Sequence, residues 1–196
     1  MMTEATPTLR SFVAVPLPPP VQAVIAEAAA ELAPRLRGIS WSKKPENLHV
    51  TVKFLGAVAV DRLEKVAAEL ESALAMVPRF EIGLRGWGAF PSPRHARVVF
   101  ADVEDSAPLS AVAEIVEAVA ERFGFEREKR RFTGHVTVGR SKEKGGVDLR
   151  AALEGDADRA FGRVSVDEVH VYESQLGREG STYVLRHRAP LGARAN

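Results

Sequence analysis

Apolar residues recur along this chain at two spacings, and the switches between them outline the elements. LRSFVAVPL, residues 9–17, is a nearly unbroken apolar run closed by Pro18, Pro19 and Pro20, which predicts a buried strand. The alanine-rich stretch 21–36 predicts a helix. A loop through Ser40, Trp41 and Pro45 leads into HVTVKFLG, residues 49–56, which begins with the polar and apolar alternation of a strand. Leu63, Val66, Ala67, Leu70, Leu74 and Val77 then fall at intervals of three and four, one face of a helix, and Asp61 with Glu64 has the form of a capping box at its start. FEIGLRGWGAF (80–90) and ARVVFADV (96–103) predict strands around a Pro-Ser-Pro turn, and Leu109, Val112, Ala113, Val116, Ala120 and Phe123 predict another amphipathic helix. HVTVGR (135–140) is a second short strand. A Gly-Gly loop at 145–146, a short helix near 148–154 and two strands, VSVDEVHVYES and TYVLRHR, complete the chain. Residues 1–8 and 192–196 are expected to fray.

The pattern is doubled. The histidines that open the two HVTV phrases are 86 residues apart, Phe12 and Phe100 are 88 apart, and Phe80 and Phe161 are 81 apart. Each half reads strand, helix, HVTV strand, helix, strand. Two copies of such a unit can pair about a pseudo-twofold axis, each burying the apolar face of the other. That predicts one domain over 1–196 with two lobes and a cleft between them, one His-Val-Thr facing in from each.

Composition narrows the chemistry. Lys and Arg number 27 against 26 Asp and Glu, so a basic site for an anionic ligand has to be local rather than a property of the whole surface. The absence of cysteine excludes disulfides, thiolate nucleophiles and thiolate metal ligands and is compatible with a reducing compartment. No stretch has the form of a secretory signal or a membrane span, and a soluble cytoplasmic protein is expected.

In a strand, His49 and Thr51 project to one face while Val50 and Val52 project to the other, and the same holds for His135, Thr137, Val136 and Val138. Two imidazoles in one cleft can divide acid-base work, because a ring titrating near neutrality is available both as base and as acid. Threonine hydroxyls can donate hydrogen bonds to the non-bridging oxygens of a phosphate. A single His-x-Thr is ordinarily structural, but two at matching places favour a site. Metal binding is the rival, and against it each motif offers one histidine and no acidic residue on its cleft-facing positions.

With RSFVAVPLPP, PENLHVTVKFLG, GWGAFPSPRHARVVF, RRFTGHVTVGR and VYESQLGREGSTY in that order, nearly the whole chain resembles the two-histidine phosphoesterases, in particular the bacterial and archaeal RNA 2′,3′-cyclic phosphodiesterases historically called 2′-5′ RNA ligases. The resemblance implies an α+β bilobal fold with two pseudo-symmetric antiparallel sheet and helix lobes around a central cleft. It also implies hydrolysis of RNA 2′,3′-cyclic phosphate ends to 2′-phosphates without metal or other cofactor. The partners implied are RNA ends, tRNA fragments or cyclic nucleotides, with no membrane, and the protein is expected to be a monomer. A 2′-5′ ligase or phosphodiesterase, or a non-catalytic module binding RNA ends, remains the alternative.

The resemblance places His49, Thr51, His135 and Thr137 in catalysis. Arg140 matches a recurrent arginine for phosphate or base, although simple alternation turns it away from His135 unless the strand bulges near Gly139. Lys53 falls on the His49 face by alternation and can add charge at the cleft or lie exposed at a strand end. Trp41 offers either a surface for a base or a core contact. The basic run Arg127, Lys129, Arg130 and Arg131 can track an RNA backbone or be an ordinary solvated segment, since Glu126 and Glu128 interleave with it. His95, His170 and His187 match no catalytic motif and are expected to be surface or strand residues.

Overall fold

The computed structural model describes residues 7–104, 106–178 and 180–193. The first apolar run forms β1 (Thr8–Pro16), and the helix after it, α1 (Pro19–Leu32), begins inside the proline triplet rather than beyond it. Proline is accommodated in a first helical turn, where its missing N–H has no intrahelical acceptor. There follow β2 (Ile39–Trp41), β3 (His49–Ala59), α2 (Val60–Leu74), β4 (Phe80–Phe90), β5 (Val98–Glu104), α3 (Ala107–Arg122), β6 (His135–Ser141), α4 (Arg150–Leu153), β7 (Ala160–Val166), β8 (Glu168–Gly177) and β9 (Gly180–Pro190). No side chain caps α2; Asp61 sits within its first turn, where a carboxylate favours the positive end of the helix dipole.

All strand pairings are antiparallel in one sheet of order β7-β4-β5-β6-β3-β1-β8-β9, with β2 added to β6. The centre of that order is its weakest link, because β3 and β6 pair only at Val50 and Val136. On one side β3, β1, β8 and β9 make a lobe, and on the other β6, β5, β4 and β7 make its counterpart. The same succession runs outward from both HVTV strands. The expected α+β architecture of two related antiparallel lobes is therefore present.

The repeat is not a simple tandem. Phe12 on β1 and Phe100 on β5 occupy corresponding strands, but Phe80 and Phe161 do not, since β4 and β7 pair with each other inside one lobe. The long strand expected at 164–174 is two strands in opposite lobes, β7 at one edge of the sheet and β8 between β1 and β9, with the chain crossing over at Asp167. Of the ends expected to fray, residues 1–6 and 194–196 lie outside the described residues. Thr8 pairs with Ala59, however, and the Gly192 N–H donates to the Val77 carbonyl at 2.8 Å, so both flanks are held.

The inward faces of the helices and the strand valines form one continuous core that includes Val50, Val136, Leu70, Leu109 and Val116. Two glycines permit close approaches near the HVTV strands. A Cβ at Gly88 would stand 2.3 Å from the Phe100 ring, and one at Gly139 would stand 2.7 Å from Ile39 Cγ2 and 3.3 Å from Trp41 Cε3. Side-chain-free backbone at these points is what admits the neighbouring rings.

Candidate active site

The single Val50–Val136 pairing fixes the geometry of the four motif side chains. Extended one residue each way, that antiparallel register sets His49 across from Thr137 and Thr51 across from His135. The two imidazoles are thus diagonal neighbours, whose Cα atoms in a paired sheet lie roughly 7–8 Å apart, each facing the other copy's threonine. Val50 and Val136 are fully buried beneath this square, and His49, Thr51, His135 and Thr137 are all partly accessible.

Above it lies a cleft of about 1050 Å³ whose walls include His49, Thr51, Thr137, Arg140, Trp41, Phe54 and Tyr183. His135 stands just beyond the residues that enclose this volume, on the side bounded by Phe90 and Phe100, with ring centroids 5.0 and 5.1 Å from its own. His49 is held in the same manner by Phe12 at 4.9 Å and by the edge of Tyr183 at 5.2 Å. The two phenylalanines matched by the sequence repeat therefore serve corresponding rings, one per lobe.

Each imidazole is anchored through Nδ1 to the carbonyl two residues before it, His49 to Asn47 at 2.7 Å and His135 to Thr133 at 2.8 Å. A carbonyl only accepts, so Nδ1 carries the proton and Nε2 is the titrating atom in both rings. His49 Nε2 is 2.9 Å from the Thr51 hydroxyl. Burial pushes the His49 imidazole below its ordinary value; the Asn47 carbonyl opposes this, and charge on His135 adds to it. Burial likewise lowers His135, against the Thr133 bond, with Arg140 adding to the lowering and Asp102 opposing it.

Beyond the threonines, both strands depart from simple alternation in the same way. In β6, Val99 faces Gly139 and Phe100 faces Thr137, leaving Val138 as an extra residue, a bulge. Its effect is to keep Val138 and Gly139 buried and to bring Arg140 round to the cleft. In β3, Val13 faces Lys53 and Ala14 faces Thr51, leaving Val52 as the extra residue.

Lys53 accordingly does not face the cleft. It is 6% exposed, with its ammonium 2.7 Å from Glu117 on α3 and 2.9 Å from the Glu126 carbonyl. Its place toward the cleft is taken by Phe54, a residue 67% exposed. Phe54 and Arg140 are 86 residues apart, the spacing of the histidines and of the threonines. The sequence held this signal: the bulge required to deliver Arg140 would, in the first copy, withdraw Lys53 and present Phe54.

Trp41 lines the cleft from β2 while also packing on the core. Tyr183, from β9, ends the VYESQLGREGSTY segment but was assigned no role at the site. In the segment before His135, Arg127 is paired with Glu114 and Glu121, and none of Arg127, Lys129, Arg130 or Arg131 lines the cleft. His95 is exposed; His170 is buried in β8 against Tyr172 and Glu168, and His187 lies in β9. Among the described residues, no group of three or more His, Asp or Glu is placed to hold a metal ion, and no helix is long and apolar enough to cross a membrane.

Comparison with known proteins bears on the family and the fold. An RNA 2′,3′-cyclic phosphodiesterase of Archaeoglobus fulgidus is 34% identical over 89% of this chain and 96% of its own, and one of Aeropyrum pernix is 38% identical over 70% of this chain and 78% of its own. The crystal structure of TT0787 from Thermus thermophilus superposes with a TM-score of 0.78 at 26% identity, covering 95% of this chain and all of that one. The family description "2′-5′ RNA ligase superfamily" matches residues 16–178, and the chain belongs to that superfamily.

Proposed function

We propose that the protein is an RNA 2′,3′-cyclic phosphodiesterase that opens the cyclic phosphate at an RNA end to a 2′-phosphate. The observation that carries this reading is the convergence of two His-x-Thr strands, diagonal across Val50–Val136, at one cleft. Relatives of that name, similar over most of the chain, support it.

In the proposed reaction the cyclic phosphate lies across the four motif side chains. Water attacks phosphorus in line with the P–O3′ bond; a proton of the water passes to Nε2 of His135, and the bond to O3′ breaks as Nε2–H of His49 protonates it. The 2′-phosphate remains on the RNA. Arg140 favours the neutral form of His135, which suits a base. The phosphate anion, once bound, favours the protonated form of His49 and offsets the lowering imposed by burial. Thr51 and Thr137 donate to the non-bridging oxygens, and Arg140 neutralises the charge that grows on them. The exposed ring of Phe54 is a platform on which the terminal base can stack, whereas Phe12, at 3% exposure, is committed to packing.

The test is direct. Purified protein incubated with a 2′,3′-cyclic mononucleotide and excess chelator should yield the 2′-monophosphate alone. A 3′-monophosphate product, or turnover that disappears with the chelator and returns with a divalent ion, would contradict this mechanism.

A further inference from the structure

The cleft is larger than its chemistry requires. At about 1050 Å³ it reaches the upper end of the ~300–1,000 Å³ typical of small-molecule sites. Beside the catalytic square its walls carry Arg10 from β1, Lys43 and Lys44 from the segment between β2 and β3, and Arg178 from the turn between β8 and β9. Three segments far apart in sequence thus bring cations to one cleft. Among the described residues no Asp or Glu lines the cleft, although the chain as a whole holds 27 basic and 26 acidic residues.

Nor does an internal carboxylate claim these cations. Arg85, Arg122, Arg127, Arg159 and Arg188 elsewhere on the surface each hold at least one, whereas Arg10, Lys43 and Arg178 form no ion pair among the described residues, and Lys44 meets only the Thr182 hydroxyl at 3.1 Å. Arg10 and Arg140 both bear electrostatically on the Tyr183 hydroxyl, so positive charge continues from the phosphate position past that ring toward β1. Cations without carboxylate partners, lining the cleft beside a phosphate site, fit a ligand that carries further negative charges beyond the reacting phosphate.

We infer that Arg10, Lys43, Lys44 and Arg178 form a track for the internucleotide phosphates of the RNA strand 5′ to the reacting end, so that the site selects oligonucleotide ends over cyclic mononucleotides. The inference rests on the proposed function and adds its substrate length and the residues that set it. The track supplies binding through charge and leaves the bases unread, which makes the selection sensitive to salt and indifferent to upstream sequence.

The experiment compares kcat/KM for a cyclic mononucleotide and for a tetranucleotide ending in a 2′,3′-cyclic phosphate, across a KCl series. The variant is Arg10→Ala/Lys43→Ala/Arg178→Ala. An exposed charge pair contributes a factor of about 1.4 to 5, so three contacts favour the tetranucleotide on the order of tenfold at low salt. Each phosphate held should add about 0.7 to the downward slope of log kcat/KM against log salt. In the triple variant the ratio of tetranucleotide to mononucleotide should collapse toward one and the added slope should vanish. Fluorescence anisotropy of a labelled tetranucleotide ending in a 2′-phosphate gives the same comparison without turnover. A tetranucleotide no better than the mononucleotide, or an advantage the triple variant keeps, overturns the track while leaving the mechanism intact. Failure to hydrolyse either substrate strikes at the proposed function instead, and the anisotropy salt slope still decides the track.

Discussion

Replacing Lys53 by methionine separates the two places this residue can have, because alternation along β3 and the observed bulge assign it to opposite faces. The ammonium and the Glu117 carboxylate are 2.7 Å apart with side chains only 5% and 12% exposed. Methionine fills much of the volume but leaves that carboxylate without its counter-charge. Breaking a buried pair from one side costs about 3–5 kcal/mol, and the Glu128 N–H, 3.3 Å from the same oxygen, keeps the expected value near the lower end, about 3 kcal/mol. For a chain of this size each kcal/mol moves Tm by about 2–4 °C, so Lys53→Met should melt about 6–12 °C below the parent. Adding Glu117→Leu removes the stranded charge and should recover most of the loss, since an apolar replacement of both partners is often close to neutral. Urea unfolding and thermal melts read the stability, and steady-state hydrolysis of a cyclic mononucleotide at a temperature where every variant is folded reads the site. KM should stay near the parental value. A Lys53→Met protein of parental stability with a raised KM would place the ammonium at the cleft and refute the bulge argument.

Three further perturbations test the same geometry. Burial lowers both imidazoles below their ordinary value of about 6.5, and the productive free enzyme holds one neutral and one protonated ring, so kcat/KM should peak on the acid side of about pH 6.5; a maximum above pH 7.5 contradicts it. Because their folded values are depressed, the same rings make stability complete above about pH 6.5 and diminishing as pH falls below it, which Tm measured against pH would show. Gly139→Val forces β2 away from β6, costs about 1–3 kcal/mol as overpacking does, and should lower activity by displacing Arg140; an unchanged urea midpoint would contradict the close approach. Phe54→Ala should leave stability unchanged but raise KM by roughly 5- to 150-fold, the range for losing one base-stacking contact, with kcat little altered; an unchanged KM removes Phe54 from the site.

Much of this arrangement was legible because it repeats. The His-Val-Thr-Val phrases placed His49, Thr51, His135 and Thr137 on the accessible face of two strands, and the spacing of Phe12 and Phe100 marked the two rings that pack on those histidines. What alternation cannot express is a bulge. It assigned Lys53 to the wrong face, passed over Phe54, and made Arg140 conditional on a distortion that both strands contain. The division of 164–174 into two strands was also in the pattern, since Val164 and Val166 keep one phase and Val169 and Val171 the other. Pairing partners were harder. Nothing local to Phe80 or Phe161 tells that β4 and β7 belong to one lobe, because that is decided by which edges remain once β1, β3, β5 and β6 have met. The basic lining was invisible for the same reason: Arg10, Lys43 and Arg178 are brought to one cleft only by the folded sheet.

The central claim is that two imidazoles, one from each lobe, act together on one phosphate. Rates of 2′,3′-cyclic mononucleotide hydrolysis by His49→Ala and His135→Ala, each shown by circular dichroism and melting to be folded, test it most directly. Both should fall by roughly 10²- to 10⁴-fold, the loss expected for a positioned acid or base. Parental turnover in either variant would mean that the corresponding ring takes no part in the reaction.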